Sequence, residues 1–237
     1  LDEKQLAPAH VDYERWLGPA PKREFSAQRF HGSWRMFWDY GGGLMTDWGV
    51  HLLDMVLWAK DIKELPEQVI GTGGNRYLPN GGHETYDTQG VSYVFPDFVM
   101  NWENNAGLER VPFDRPYGVA FYGTNGILVA DRDNWTILSD KQGGQPKIEE
   151  KMIKSDHQEH QRHVADFIDA VRNRRLETAC PIQVGSLSAR FAHMGNIVAR
   201  TGEGALRYNT NKKTFNSTAA NQLIQPKYRA PYTFPKV

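Results

Sequence analysis

Residues 39–58 read DYGGGLMTDWGVHLLDMVLW, three glycines followed by an almost wholly apolar run. Asp47 stands early in that run, where the positive end of a helix dipole stabilises a carboxylate. A helix with a solvated face would normally carry lysine, glutamate or arginine, and this segment carries none before Lys60. The pattern therefore predicts a buried helix over residues 44–60, with Thr46 as a candidate cap.

One narrow polar stripe interrupts this predicted helix. At about 100° per residue, four side chains fall within a stripe roughly 60° wide; they are Asp47, His51, Asp54 and Trp58. Asp47 and His51 are four residues apart, so their side chains can meet on a helix. A carboxylate beside an imidazole orients the ring, as a general acid/base near neutral pH requires. Because ion pairs and buried histidines also occur without catalysis, a purely structural pair is the alternative.

The three glycines, Gly41, Gly42 and Gly43, remove the side chains just before the predicted helix. Backbone without Cβ atoms lets a ligand approach closely, and the free amides of a helix N-terminus attract polar groups. We interpret the glycines and the acid/base pair together as the floor of a ligand pocket.

Strand patterns dominate the middle of the chain. Six segments rich in β-branched or aromatic residues are bounded by turn residues; they are 67–77, 88–105, 117–125, 126–133, 135–140 and 147–153. Asn125-Gly126 predicts a hairpin, and Asp133-Asn134 a second turn. Helical spacing returns over residues 156–175 and 181–204.

This succession predicts an α+β fold, in which an open, mainly antiparallel (mixed) sheet carries helices on one face. We expect one domain over residues 1–237, with an extended aromatic-rich lead over 1–40 and an extended tail over 225–237. The segment VSYVFPDFVMNW carries enough apolar residues for both faces of the sheet. An uncovered apolar face usually finds a partner, so we expect a homo-oligomer through the open sheet.

Composition excludes several classes of partner. Among 237 residues, 28 lysines and arginines balance 28 aspartates and glutamates, so nothing favours nucleic acid or an anionic membrane surface. No apolar run approaches the roughly 18 residues that a membrane span needs. The single cysteine, Cys180, excludes an internal disulfide. No targeting segment is recognisable, which leaves cytoplasm and periplasm equally open.

Several segments together carry a resemblance to a known family. GGGLMTDWGVHLLD, residues 41–54, resembles the signature GG-x(3)-D-x-G-x-H-x(2)-D of the glucose-fructose oxidoreductase and inositol dehydrogenase family. The lead YERWLGPAP…RFHGSWRMFWDYGGG is similar to a bacterial branch of that family acting on sugars. FYGTNGILVADRDNW and NQLIQPKYRAPY fit the same branch, so the resemblance covers nearly the whole chain.

The resemblance implies a two-domain parent enzyme. Family members join an N-terminal Rossmann domain, which binds NAD or NADP, to a C-terminal α/β domain that supplies the substrate pocket. This chain resembles only the C-terminal domain, because it contains neither a G-x-G-x-x-G fingerprint after an N-terminal strand nor a Glu-Lys-Pro motif. We therefore expect NAD or NADP in the full-length parent, on a Rossmann domain in cis, and none bound to this chain alone.

The resemblance also assigns roles to single residues. His51 would take the proton from a sugar or polyol hydroxyl, and Asp47 would orient His51 or contact the same hydroxyl. Gly42 and Gly43 would lie near the nicotinamide, and Asp54, which ends the signature, would be a substrate contact. Oxidising an alcohol needs a proton acceptor and a hydride acceptor, and these side chains can perform the first task only.

Further candidate substrate contacts lie outside the signature. Arg35, Trp38 and Tyr40 could stack on a sugar and hydrogen-bond to it, or they could pack an edge of the domain. His157 and His160 stand at the start of a predicted helix and are further candidates. A metal site with the third histidine of that stretch is disfavoured, because positions i and i+6 lie about 240° apart on a helix.

Two other functions would use the same residues. One is glycoside hydrolysis with a tightly held NAD, on the same scaffold. The other is a non-catalytic carbohydrate-binding or assembly module without a Rossmann domain. The parent reading frame separates the last alternative from the two enzymes, because an upstream Rossmann domain would exclude it.

Overall fold

The computed structural model describes residues 5–235, which form two compact units. Unit 1 comprises residues 5–53, 63–107 and 187–235, and unit 2 comprises residues 54–62 and 108–186. Compact units can belong to one domain or to two, so the expectation of a single domain stays a prediction.

The regular elements of the described chain are helices and antiparallel strands. The α-helices are α1 (Tyr13–Leu17), α2 (Val50–Ala59), α3 (Glu159–Asn173), α4 (Ile182–Thr201) and α5 (Thr218–Gln222). Two 3₁₀ helices span His31–Met36 and Pro112–Asp114, and a π-helical turn spans Met45–Gly49. The strands are β1 (Gln68–Gly74), β2 (Thr88–Val94), β3 (Val99–Asn105), β4 (Val119–Gly123), β5 (Gly126–Ala130), β6 (Asn134–Ser139), β7 (Lys141–Gln142), β8 (Gln145–Pro146), β9 (Lys151–Lys154), β10 (Ala205–Asn209) and β11 (Thr214–Phe215).

Unit 1 is built on a five-stranded sheet in the order β11-β10-β1-β2-β3, with antiparallel pairing throughout. Successive side chains of a strand point to opposite faces, and on β2 this places Val91 and Tyr93 in the core. Helix α4 covers that face, since Tyr93 Oη donates a 2.7 Å hydrogen bond to the carbonyl of Phe191. The opposite face carries exposed residues such as Val99 and Asn101. The predicted α+β fold, an open antiparallel sheet with helices on one face, is confirmed.

Unit 2 contains a four-stranded antiparallel sheet in the order β4-β5-β6-β9 and the small hairpin β7-β8. The predicted hairpin is present, because Gly123 pairs with Gly126 across the turn between β4 and β5. The long helix α3 has only one buried residue, Ala170, and its remaining side chains are exposed or half-buried.

The helix predicted over residues 44–60 differs from the observed one in three ways. It begins with the π-helical turn, continues as α2 and ends at Ala59. Outside the predicted polar stripe it is not fully buried, because Trp48 is 40% exposed. Thr46 does not accept a capping bond; its hydroxyl donates to the carbonyl of Gly43 at 3.4 Å. Leu52, Leu53 and Leu57 are buried while other apolar residues of the helix are exposed or half-buried, so apolar residues outnumber the positions that are covered.

The lead is more structured than an extended chain. Helix α1 and the first 3₁₀ helix interrupt it, because its aromatic rings pack against one another. The ring centroids of Tyr13 and Phe25 lie 5.2 Å apart, as do those of Trp16 and Phe30. The tail carries no regular element over its described part, residues 225–235. Within residues 5–235, no helix combines the length and the apolar character that crossing a membrane requires.

Candidate functional site

The glycine segment fits closely against the rest of unit 1. A Cβ atom at Gly42 would lie 2.6 Å from the side-chain nitrogen of Asn196, and one at Gly43 would lie 2.5 Å from the Thr85 side chain. Asn196 Nδ2 also donates a 2.8 Å hydrogen bond to the carbonyl of Gly42. Gly43 has φ +65°, which glycine adopts at little cost. The protein itself therefore fills the space that side chains would take at these positions.

An ion pair between Arg35 and Asp47 lies beside this segment. Arg35 Nε donates a 3.0 Å hydrogen bond to Asp47 Oδ1, and the two side chains are 41% and 34% exposed. The Arg35 guanidinium also lies 4.6 Å from the ring centre of Trp34. A Cβ atom at Gly41 would lie 2.7 Å from the carbonyl oxygen of Arg35, so glycine there allows the chain to close around the pair. Arg35, a candidate substrate contact, thus has a carboxylate partner within the chain.

His51 is exposed on α2, one helical turn after Asp47. Within residues 5–235 no hydrogen bond joins the two side chains, and the carboxylate is bonded to Arg35 instead. The π-helical turn explains the difference, because Asp47 lies within it and i→i+5 bonding widens the turn relative to an α-helix. Neither side chain is sealed in the core, so both are accessible to a ligand.

Trp38 contacts its own chain on several sides. Its backbone N–H donates to Glu84 Oε2 at 3.1 Å, and Glu84 Oε1 accepts a 2.7 Å bond from Arg23. The Arg200 guanidinium lies 4.4 Å from the centre of the Trp38 ring, and Tyr86 meets the ring edge-on at 5.4 Å. Burial lowers the pKa of Arg200, which a ring face can partly offset through cation–π attraction.

Tyr40 belongs to the aromatic cluster of the lead. Its ring centre lies 5.1 Å from that of Trp16, and its hydroxyl oxygen is buried without a hydrogen-bond partner in the described part of the chain. Burial raises the pKa of Tyr40 to about 12. The side chain therefore packs inside the protein, as the structural alternative for this residue requires.

The loop between β1 and β2 borders the glycine segment and is organised by Asp87. The buried Asp87 carboxylate accepts 2.8 Å hydrogen bonds from the backbone amides of Arg76 and Leu78 and a 2.9 Å bond from Thr88 Oγ1. Burial alone would raise the pKa of this carboxyl group, but the hydrogen bonds from Leu78, Arg76 and Thr88 outweigh it and lower the pKa. Asp87 thus fixes the loop that carries Thr85 against Gly43.

Three other candidates lie in unit 2. Asp54 is half-buried on α2, His157 is exposed at a positive φ of 55°, and His160 is exposed in the first turn of α3. Asp54 lies three residues after His51 on the same helix, whereas His157 and His160 are described within unit 2 alone. Among residues 5–235 there is no group of three or more His, Cys, Asp or Glu residues suited to hold a metal ion.

Sequence reasoning missed the residues that anchor the glycine segment from a distance. Buried Asn196 bonds to Gly42 and accepts from Gln89 Nε2 at 3.3 Å, which also donates to the carbonyl of Gly195 at 3.2 Å. A buried asparagine needs partners, so its position within the apolar stretch of α4 was the available signal. Nothing local in the sequence shows that its partner lies 154 residues away.

The chain matches a family profile described as "Oxidoreductase family, C-terminal alpha/beta domain", over residues 2–71 and 132–234. Solved structures with the same fold include yvaA from Bacillus subtilis, which is assigned as an oxidoreductase. It has 9% sequence identity and a TM-score of 0.52, with 70% of this chain and 51% of that chain covered. No curated protein sequence matches the chain significantly.

Two further structures have comparable similarity. The UDP-N-acetylglucosamine 3-dehydrogenase GnnA from Acidithiobacillus ferrooxidans has 14% identity and a TM-score of 0.50, with 80% of this chain and 57% of that chain covered. A protein from Erwinia carotovora atroseptica, also assigned as an oxidoreductase, has 13% identity and a TM-score of 0.51, with 77% and 54% covered. At these identities the likeness concerns the fold. The chain spans about half the length of these structures.

Proposed function

The chain belongs to the oxidoreductase family defined by this C-terminal alpha/beta domain, and from that premise we propose that it is the substrate-binding part of an NAD(P)-dependent enzyme that oxidises a sugar or polyol hydroxyl. The accessible His51, one turn after the Arg35–Asp47 pair, is the observation that carries the proposal.

His51 acts at the substrate hydroxyl oxygen. Alcohol oxidation removes a proton from oxygen and a hydride from carbon, and an imidazole is the side chain best suited to accept a proton near neutral pH. Because His51 is exposed on α2, its ring can reach a hydroxyl that enters from solvent. The nicotinamide coenzyme, held by the rest of the parent, supplies the hydride acceptor. The direct contribution of this chain is proton transfer at His51.

Asp47 positions the reacting groups and is itself positioned by Arg35. The bond from Arg35 Nε occupies Asp47 Oδ1 and fixes the direction of the carboxylate. The second oxygen, Oδ2, then remains for the imidazole of His51 or for the same substrate hydroxyl. Charge-assisted hydrogen bonds of this kind are strong enough to hold a partly exposed side chain in place. Gly42 and Gly43 contribute backbone atoms to the wall on which the nicotinamide edge would rest.

The sugar class of substrate rests on two supports. One is GnnA, a UDP-N-acetylglucosamine 3-dehydrogenase with the same fold. The other is the set of aromatic and polar residues near the glycines, of which Trp38 and Arg35 are partly exposed. We place Asp54, His157 and His160 among the substrate contacts of the assembled parent. Tyr40 would act from within the aromatic cluster, by supporting the segment that carries Trp38.

The test uses the full-length parent enzyme with His51→Asn. We expect kcat to fall about 10²–10⁴-fold, the usual contribution of a general acid/base, while the melting temperature and the coenzyme Kd change little. The pH–rate profile should also lose the limb that belongs to the imidazole. His10→Asn, which alters an exposed histidine of the lead, is the matched control and should keep full activity.

Assays for both alcohol oxidation and glycoside hydrolysis should accompany these variants, because the same pair could serve either reaction. A His51→Asn parent with unchanged kcat and pH profile would overturn the assignment of the base.

We further propose that the parent self-associates through the open face of the five-stranded sheet. Ile70 and Val99 are large apolar residues exposed on that face, and they alternate with Ser92 and Asn101. Exposed strand surface with apolar residues commonly forms symmetric interfaces. Light scattering on the parent should give a mass above that of one chain, and Val99→Glu should reduce it; a monomer in both cases contradicts the proposal.

A further inference from the structure

Helix α3 presents an uncovered apolar face. Val164, Phe167, Ile168 and Val171 recur at helical spacing and are 44%, 59%, 40% and 61% exposed. These residues occupy one side of the helix, because positions separated by three and four residues share a face. Isolated exposed apolar residues are ordinary, but a contiguous apolar face marks an interaction site.

A different side of α3 is already fixed to its surroundings in unit 2. Ala170 is buried, and its carbonyl accepts a 3.0 Å bond from the backbone amide of Arg175. The Asp166 carboxylate accepts a 2.8 Å bond from the amide of Ala179 and a 2.8 Å bond from Arg175 Nη2. The segment after the helix, which includes Arg175 and Ala179, therefore binds the side of α3 that carries Asp166 and Ala170. We call it the bracing segment. Within unit 2, these polar contacts therefore involve a different side of α3 from its exposed apolar residues.

Two further large apolar side chains of unit 2 are exposed outside the helix. Leu176 is 91% exposed in the bracing segment, and Ile182 is 79% exposed at the start of α4. Both belong to unit 2, as α3 does. Water contact at so many large apolar side chains is unfavourable by about 25 cal/mol per Å² of apolar area. A partner that covers this surface would therefore gain substantial binding free energy.

The family description supplies the argument for one occupant. The matched profile is a C-terminal domain, and the chain spans 51–57% of the structures that share its fold. About half of each such protein therefore lies outside the region that this chain resembles. We propose that the apolar face of α3, formed by Val164, Phe167, Ile168 and Val171, is the surface on which the N-terminal part of the parent docks. This inference rests on the proposed two-part enzyme and names the element that joins its parts.

Docking at this helix would also place the N-terminal part next to a proposed substrate contact. His160, a proposed substrate contact, stands one turn before Val164 on α3. A domain that settles on the apolar face would therefore also cover the approach to His160. Substrate contacts of unit 2 and the coenzyme-bearing part would then be brought together by the same helix.

Site-specific photo-cross-linking in the full-length parent tests the inference. Phe167→p-benzoylphenylalanine should cross-link to peptides of the N-terminal part. Arg162→p-benzoylphenylalanine is the control, because Arg162 lies on the polar side of α3 and pairs with exposed Asp156; it should give no such product. Val171→p-benzoylphenylalanine supplies a second apolar position in case the first variant does not fold.

Each alternative leaves a different product. A cross-link from position 167 to a second copy of the chain, or to residues of unit 1, would overturn the inference, as would no cross-link from either apolar position. Phe167→Glu should in addition remove the hydrogen-exchange protection of α3 that the parent confers. These measurements are independent of turnover, so an inactive parent that still cross-links would refute the proposed reaction and leave the docking surface intact.

Discussion

In unit 1 the sheet and α4 enclose Val69, Tyr93 and Phe191, each with 0% exposure, whereas in unit 2 the face of α3 is open. The buried apolar residues of the described chain that belong to unit 2 are Leu57, Val119, Val129 and Ala170. Both units have regular secondary structure, so they differ in how many of its apolar side chains are buried. Hydrogen-bonded strands and helices are present in unit 2 without a comparable apolar core, which is the pattern expected of a region completed by a partner.

The largest expected effect is on the free energy of unfolding, and it emerges from a comparison of two phenylalanines, each on a helix. Phe191→Ala removes a fully buried ring from unit 1 and should lower the free energy of unfolding by about 3–5 kcal/mol. Phe167→Ala removes a ring that is 59% exposed in unit 2 and should change it by less than about 0.5 kcal/mol in this chain. Urea unfolding measures both. Equal losses would show that α3 is buried in solution and would end the contrast between the units.

The second prediction concerns the buried carboxylate of unit 1. Asp87→Asn should cost about 2 kcal/mol, because charge-assisted bonds to backbone amides become neutral ones. The pKa of Asp87 is lowered in the folded state, so its contribution is complete above the unfolded-state pKa of about 3.9 and is lost as pH falls through the folded pKa. Unfolding curves from neutral to acidic pH should show a shallower acid dependence in Asp87→Asn. An unchanged pH dependence would show that Asp87 does not contribute to the loss of stability in acid.

The smallest expected effect concerns the aromatic cluster of the lead. Tyr40→Phe deletes a buried hydroxyl without a partner in the described chain, so stability should stay the same or rise by up to about 1 kcal/mol. Burial raises the pKa of Tyr40 to about 12, above the unfolded value of about 10. Its contribution is therefore complete below pH 10 and is lost as pH rises through the folded pKa. Tyrosinate absorbance and alkaline unfolding measure this, and a loss above about 1 kcal/mol in Tyr40→Phe would indicate a partner for the hydroxyl.

Local patterns predicted most of the regular elements, because the alternation of apolar and polar residues and the helical periodicity can be recognised from neighbouring residues. The strands from β1 to β6 and the helices α3 and α4 were found in this way, as was the hairpin before Gly126. The strand β10 was missed, since it is recognised by its pairing with β1 rather than by its own short pattern. Burial of α2 was overestimated for a related reason. An apolar composition does not state which side of a helix another element will cover.

The same distinction between local patterns and distant contacts applies to the candidate site. The sequence identified Asp47 and His51, and helical spacing placed them on one stripe, but it could not show that Arg35 would hold the carboxylate. Its interpretation of the glycines by ligand approach stays a prediction, and it could not show that Thr85 and Asn196 lie beside them. These partners come from distant segments, and a single sequence carries no direct record of such contacts.

The order of the two units along the chain has a consequence for biosynthesis. Strand β1 acquires its neighbour β10 only when Leu206, the partner of Val69, has been made about 140 residues later. At roughly 5–20 residues per second, a ribosome needs about 7–30 s to supply it. During that interval β1, β2 and β3 can form a sheet that still lacks α4, with Tyr93 facing solvent. The nascent chain is then most exposed to aggregation while unit 2 is being synthesised, which is the stage at which a chaperone would find it.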